Sequence, residues 1–288
     1  MKLIKYIIIA VAGLMSCTAL VGQSQHELSI YAGGGLSTLN YKTTIGDQKD
    51  GFGGQFGVGY QYFFTGNIGL NTGLELSLHN AKTTFGNVSD RYMAKDIDGQ
   101  NFEFRSTVSN YEEKQNAMFL NIPIMLQYQF EGENKFYIAA GGKIGIPVNG
   151  KYKTSGATIK NSGYYPQEDL EHTTQEFLGF GTFTGRDMDD DVDFKVAFIL
   201  SAELGMKWKI GDNLSLYTGA YLDYGLNDIQ KDSRTKNFVA YNTANPKEFT
   251  TNSILASKFS MDGNTIMTFT DKVSPLAAGI KIRLAFSK

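Results

Sequence analysis

Between residues 194 and 227, apolar and polar side chains alternate with a period of two. Phe194, Val196, Phe198, Leu200, Ala202, Leu204, Met206, Trp208 and Ile210 share one face, and Lys195, Ser201, Glu203, Gly205, Lys207 and Lys209 share the other. After Gly211-Asp212-Asn213 the alternation resumes, with Leu214, Leu216, Ala220, Leu222 and Leu226 opposite Ser215, Tyr217, Gly219, Asp223 and Asn227. Period two predicts strands, and the short Gly/Asp/Asn connection predicts an antiparallel hairpin. These runs outlast the ~5–6 residues of an ordinary soluble strand and suit a tilted strand crossing a bilayer, which takes ~9–11. A face of Lys, Glu, Asp and glycine makes a poor soluble core, whereas an apolar face rimmed by Trp208 and Ile210 suits lipid.

The same alternation recurs over residues 28–40, 52–64, 68–80, 117–130, 135–152 and 271–286, which gives about eight strands. Connections at 65–67, 131–134 and 211–213 are short. Those at 84–114, 154–191 and 228–270 are long and polar, and the one at 42–51 is intermediate. Short turns at one end and long loops at the other are the asymmetry of an outer-membrane barrel. The pattern predicts an all-β fold: an eight-stranded antiparallel up-and-down transmembrane β-barrel with short periplasmic turns and long extracellular loops. Pro123 lacks the N–H that a closed ladder needs, so a local bulge is expected there.

Composition agrees. Of 288 residues 32 are glycine and 5 proline, aromatics make up 13% and charged residues 19%. The mean hydropathy of -0.23 is far too low for a helical membrane protein, but a barrel hides its lipid face in every second residue. Residues 1–24 read as a secretory signal, with Lys2 and Lys5 before a short apolar run and small residues after it. Residues 25–288 then form one barrel domain. Removing Lys2 and Lys5 leaves 25 basic against 29 acidic residues, so there is no basic footprint for nucleic acid. The one cysteine, Cys17, lies within the signal, and no disulfide framework is available to the mature chain. Leu14-Met15-Ser16-Cys17 only loosely matches a lipoprotein cleavage box, because Met15 fits it poorly.

Asn121-Ile122-Pro123-Ile124-Met125-Leu126-Gln127-Tyr128, the strand with Gly141-Gly142, and Tyr224-Gly225-Leu226-Asn227-Asp228-Ile229 resemble the outer-membrane protein β-barrel family, the PorT/OmpA-like barrels of Gram-negative envelopes. The last strand resembles the assembly signal of such barrels, with Gly279, then Ile282 and Leu284 alternating, and aromatic Phe286. It departs in two places: Ser287 and Lys288 follow the aromatic, and Ala277 stands where a polar residue is common. The resemblance implies the fold, the cell outer membrane as location, and two partners, outer-membrane lipid and the barrel-assembly machinery. It implies no activity and no cofactor.

The candidate site is the inward-facing charge set Glu75, Lys143, Glu203, Asp223, Lys281 and Arg283. Eight strands enclose only enough space for side chains to fill, so a packed ionic network is expected in preference to a transport path. Other candidates are thinner. His79 shares a face with Ser77, but no acid or oxyanion donor is placed beside them. Asp187, Asp189 and Asp191 have suggestive calcium-ligand spacing, but the glycine and the final glutamate of a calcium loop are missing. Asp96-Ile97-Asp98-Gly99 is weaker still, and neither run identifies a metal site. The long loops carry aromatics such as Tyr164-Tyr165 and Phe238, and loops on a rigid scaffold are where binding usually sits. The reading is therefore a non-enzymatic integral outer-membrane protein whose loops meet an extracellular ligand, without a large pore. Its rivals are a lipocalin-like soluble barrel holding an apolar ligand, a small channel, and a membrane-embedded lipid enzyme using His79.

Overall fold

The computed structural model describes residues 26–231 and 234–287; the expected signal segment and Cys17 lie outside them. Eight strands form a wall: β1 (His26–Asn40), β2 (Phe52–Phe63), β3 (Ile68–Lys95), β4 (Asn101–Gln129), β5 (Lys135–Ser155), β6 (Ala197–Lys209), β7 (Leu214–Gly225) and β8 (Ser274–Ser287). Each is antiparallel to the next in the wall. β8 also pairs with β1, from Glu27↔Ser287 to Asn40↔Ser274, which closes the sheet and removes its edges.

Alternation then decides what lies inside. Ile30, Phe56, Leu76, Ile124, Leu200 and Ile282 point outward and are exposed, while Gln61, Glu75, Gln127, Glu203 and Arg283 point inward and are buried. This is the reverse of a lipocalin-like barrel. At the short-turn end, Tyr62–Phe64, Tyr128–Phe130 and Phe130–Phe136 pack ring to ring at 5.2, 4.9 and 5.4 Å on the outer surface, forming an aromatic girdle.

The expected polar loop over 84–114 is instead strand. β3 and β4 run for 28 and 29 residues and meet in a turn at residues 96–100. There Asp96 Oδ1 accepts from the Asp98 and Gln100 N–H groups, and Gly99 takes φ 83°. Only ~9–11 residues of each strand are needed to cross the bilayer, so the remainder stands above it. In the membrane part of β4, Asn121 and Gln127 point inward and Ile124 and Leu126 outward. Farther up, Phe119, Ala117 and Tyr111 point inward and Asn116 and Lys114 outward. The period is unbroken while the polarity of the two faces inverts, because the outside changes from lipid to water. At Gly86 and Asn110 both strands skip one residue, Phe85↔Tyr111 being followed by Asn87↔Ser109. Asn110 has φ 53°, a left-handed conformation that asparagine tolerates.

The other long connections fold onto this hairpin. The strand Thr158–Tyr165 pairs antiparallel with the upper part of β4, and Gly181–Thr184 pairs antiparallel with that strand in turn. Phe238, Phe259 and Phe269 from the last connection pack with Phe85 and Tyr111, whose rings stack at 4.6 Å. The result is a folded head beyond the barrel wall, with its own aromatic core. Pro123 sits opposite Lys143 in register with β5, and on the β3 side pairing skips from Thr72↔Ile124 to Glu75↔Asn121. Its missing N–H falls at that unpaired step, and the bulge lies instead between Met118 and Phe119.

Candidate functional site

Five strands bring the six inward charges together: β3 supplies Glu75, β5 Lys143, β6 Glu203, β7 Asp223, and β8 both Lys281 and Arg283. Lys143 Nζ lies 2.9 Å from Glu75 Oε1 and 2.8 Å from Asp223 Oδ2. Glu203 pairs with Lys281 and, at 3.1 Å, with Arg283. Lys281 Nζ also stands 4.0 Å from Glu75 and joins the two clusters. Three acids face three bases, as burial at this depth demands. Neutral donors complete the set: Asn121 Nδ2 donates to Glu75 at 2.9 Å, and Ser201 Oγ donates to Asp223.

Aromatic faces line the same space. Lys281 Nζ is 4.0 Å from the centre of the Tyr31 ring, and the Arg283 guanidinium is 4.6 Å from that of Tyr217. Tyr31 reaches inward because Gly57 stands beside it, where a Cβ would come within 2.5 Å of the ring. Below the network, Glu27 accepts from Tyr217 Oη at 2.7 Å and pairs with Lys207, and Gln129 donates to Tyr217 at 3.0 Å. This second polar layer floors the lumen. Beneath it a vestibule of about 540 Å³ opens among the short turns, with Lys135, Lys209 and Asp212 at its mouth. Sequence reasoning placed Tyr217 in the lumen but missed Glu27 and Gln129 as site residues, although inward parity marks them.

Above the network, His79 is 2% exposed and lies 3.0 Å from Ser37 Oγ and 3.2 Å from Ser77 Oγ. Phe119 sits edge-on to His79 at 5.9 Å and packs in turn against Phe194 at 6.1 Å. The assembly-signal residues lie on β8. Ile282 and Phe286 are about half exposed toward lipid, and Gly279 lets β8 approach β1, since a Cβ there would meet Gly34 O at 2.1 Å.

In the head, Glu113 is fully buried and accepts from Ser253 Oγ, the Ile254 N–H, Tyr111 Oη and Gln115 Nε2. Burial pushes its carboxyl above the usual range, and these donors only partly offset that. Asp90 accepts from the Ser260 N–H at 2.8 Å, and burial raises its carboxyl to about 6. The acidic run does not converge on a point: Asp189–Asp191 is a strand paired with β5 residues Lys151–Lys153. Asp96 is taken up by its turn and by the Tyr165 hydroxyl at 3.1 Å. Among the described residues, no group of three or more His, Cys, Asp or Glu side chains could hold a metal ion.

The family model described as outer membrane protein beta-barrel domain matches residues 22–231. No curated protein matches the chain. Among solved structures, it is similar to Neisserial surface protein A, at 9% identity over 93% of this chain and 100% of that one, with a TM-score of 0.36. OprG from Pseudomonas aeruginosa is 14% identical over 93% and 99% of the two chains, with a TM-score of 0.34. Ail, the attachment invasion locus protein of Yersinia pestis, is 12% identical over 91% and 98%, with a TM-score of 0.29.

Proposed function

The chain belongs to the outer membrane protein β-barrel domain family and is an integral protein of the Gram-negative outer membrane, and we propose that its extracellular head is an interaction module carried on a barrel that neither catalyses nor conducts. The observation that carries this reading is the division of the molecule. The barrel interior is filled by a charge-balanced network, while the longest strands and connections build a structured head outside the membrane. A rigid scaffold displaying a folded surface is suited to binding. Phe177, Ile266, Ile97 and Met93 stand 60% exposed or more on that head and are available for contact with a partner. His79 is enclosed by Ser37, Ser77 and Phe119, which supports a structural role for it.

The test places photocrosslinking residues at Phe177 and Ile266 in the head and at Glu133 in a short turn, on intact cells. Adducts with extracellular material at the two head positions only are expected. Such adducts at Glu133 alone would invert the topology and overturn the reading. The same orientation is checked by a membrane-impermeant amine reagent, which should label Lys160 and spare Lys135 and Lys209 until the membrane is opened.

A further inference from the structure

Four lysines stand side by side on the outside of the wall. In the pairing registers Lys49 of the short strand Asp47–Asp50 faces Lys82, Lys82 faces Lys114, and Lys114 faces Lys153. Directly paired residues of an antiparallel sheet project from the same face with Cβ atoms ~4.5–5.5 Å apart, and like charges so placed repel. Acidic neighbours offset only part of that repulsion. Within the row, Glu112 reaches Lys82 at 2.7 Å and Lys114 at 3.6 Å, and Asp189 reaches Lys153 at 3.9 Å across exposed side chains. Asp47 and Glu112 lie one row farther from the membrane, and Asp191 faces Lys151 at the far end. Lys49 and Lys151 are exposed and have no ion pair among the described residues.

The height of the row identifies what it meets. Approaching the row from the membrane side, the last outward apolar residues are Phe52 on β2, Leu78 on β3, Met118 on β4 and Val148 on β5. The lysines follow three to five positions beyond them, which at ~3.3 Å per residue and a ~45° tilt is roughly 7–12 Å above the apolar edge. That is the headgroup layer. One row nearer the bilayer, Asn80 faces Asn116 and Asn116 faces Lys151, adding amide donors. Below these, Leu76, Leu78, Leu120 and Ile146 offer an apolar wall for acyl chains.

We propose that this lysine row is a binding site for the phosphate group of an outer-leaflet lipid, which neutralises the row while its chains lie along β3, β4 and β5. Several ammonium groups share one phosphate's oxygens, which supplies the negative charge that Glu112 and Asp189 leave short. The site faces lipid, and it stands or falls independently of what the head binds.

The experiment uses the whole folded protein in neutral detergent with three probes: dioleoyl phosphatidic acid, dioleoylglycerol and inorganic phosphate. Native mass spectrometry should show a retained adduct with phosphatidic acid and none with dioleoylglycerol, and phosphatidic acid should raise the melting midpoint. Lys82→Gln with Lys114→Gln should weaken the adduct about thirtyfold, from the loss of two cations at the surface. Lys160→Gln with Lys258→Gln, made in the head, should leave it unchanged. Without lipid, the Lys82/Lys114 variant should melt close to the wild type, because the like-charge contact and the partly exposed ion pairs with Glu112, each of small worth, are lost together. Absence of a phosphatidic acid adduct, or an adduct equally strong in that variant, overturns the proposal. Equal stabilisation by inorganic phosphate would identify a free-anion site and overturn the lipid assignment.

Discussion

Glu113 and Ser253 stand 140 positions apart in the chain and share a 2.6 Å hydrogen bond in the core of the head, with Ser253 Oγ donating. Through it and the neighbouring Ile254 N–H, the last long connection is fastened to a strand that continues directly out of the barrel wall. Ser253→Ala should cost about 1 kcal/mol, the typical net worth of one hydrogen bond. Glu113→Ala leaves four buried donors without an acceptor and should cost about 3 kcal/mol. Hydrogen exchange should then quicken at residues 236–259 while amides of the membrane strands stay protected. Equal loosening of both regions would mean that head and barrel unfold together.

The head should be more stable at pH 5 than at pH 7. Asp90 titrates at about 6 in the folded protein, against ~3.9 for an unperturbed aspartate. A raised carboxyl favours the folded state while it is protonated, so stability is greatest below pH ~4 and is lost as pH rises toward 6, by about 2–3 kcal/mol in all. The raised Glu113 carboxyl acts in the same direction. Amides of Arg91 and Ser260, corrected for intrinsic rates, should exchange more slowly at pH 5, and Asp90→Asn should flatten most of that dependence.

Lys143 is the one cation between Glu75 and Asp223. Lys143→Ala leaves both acids without it and should lower stability in detergent by ~3–5 kcal/mol, less to the extent that water enters from the barrel ends. Glu75→Ala should destabilise likewise. Adding Asp223→Asn to a Lys143→Met background should recover a large part of the loss. Thermal unfolding of the wild type and these four variants reads this, and Lys143→Ala and Glu75→Ala melting points equal to that of the wild type would show that the lumen is not held by this network.

In planar bilayers the wild type should show no sustained porin-sized conductance, since Arg283, Lys281, Tyr31 and Tyr217 occupy the width of an eight-stranded ring. A steady large conductance, unchanged by Glu75→Ala or Lys143→Ala, would show an open lumen.

For assembly, Leu284→Ala with Phe286→Ala removes two lipid-side groups from the strand that closes the barrel against β1. The amount of heat-modifiable folded protein should fall while export across the inner membrane continues. An unchanged folded yield would remove the assembly role of the last strand.

The wall was legible in the sequence because one physical condition holds along most of it. Lipid outside and a packed polar interior force every second residue of residues 28–40, 52–63 and 197–225 to be apolar, so strand number, turn position and the inward parity of Glu75, Lys143, Glu203, Asp223, Lys281 and Arg283 follow from the pattern. The head was not legible, for the same reason in reverse. Above the bilayer the outside becomes water, so Phe119 and Tyr111 turn inward on the parity that Gln127 and Asn121 hold below, and the one-residue step at Asn110 then shifts the parity so that Phe104 and Phe102 turn inward. Read without knowing where the membrane ends, such a segment looks polar on both faces. Tertiary structure alone decided which charges meet. Parity puts Glu75 and Lys281 in one lumen, but their 4.0 Å approach depends on strand stagger across the closed ring, a long-range geometry that no local period encodes.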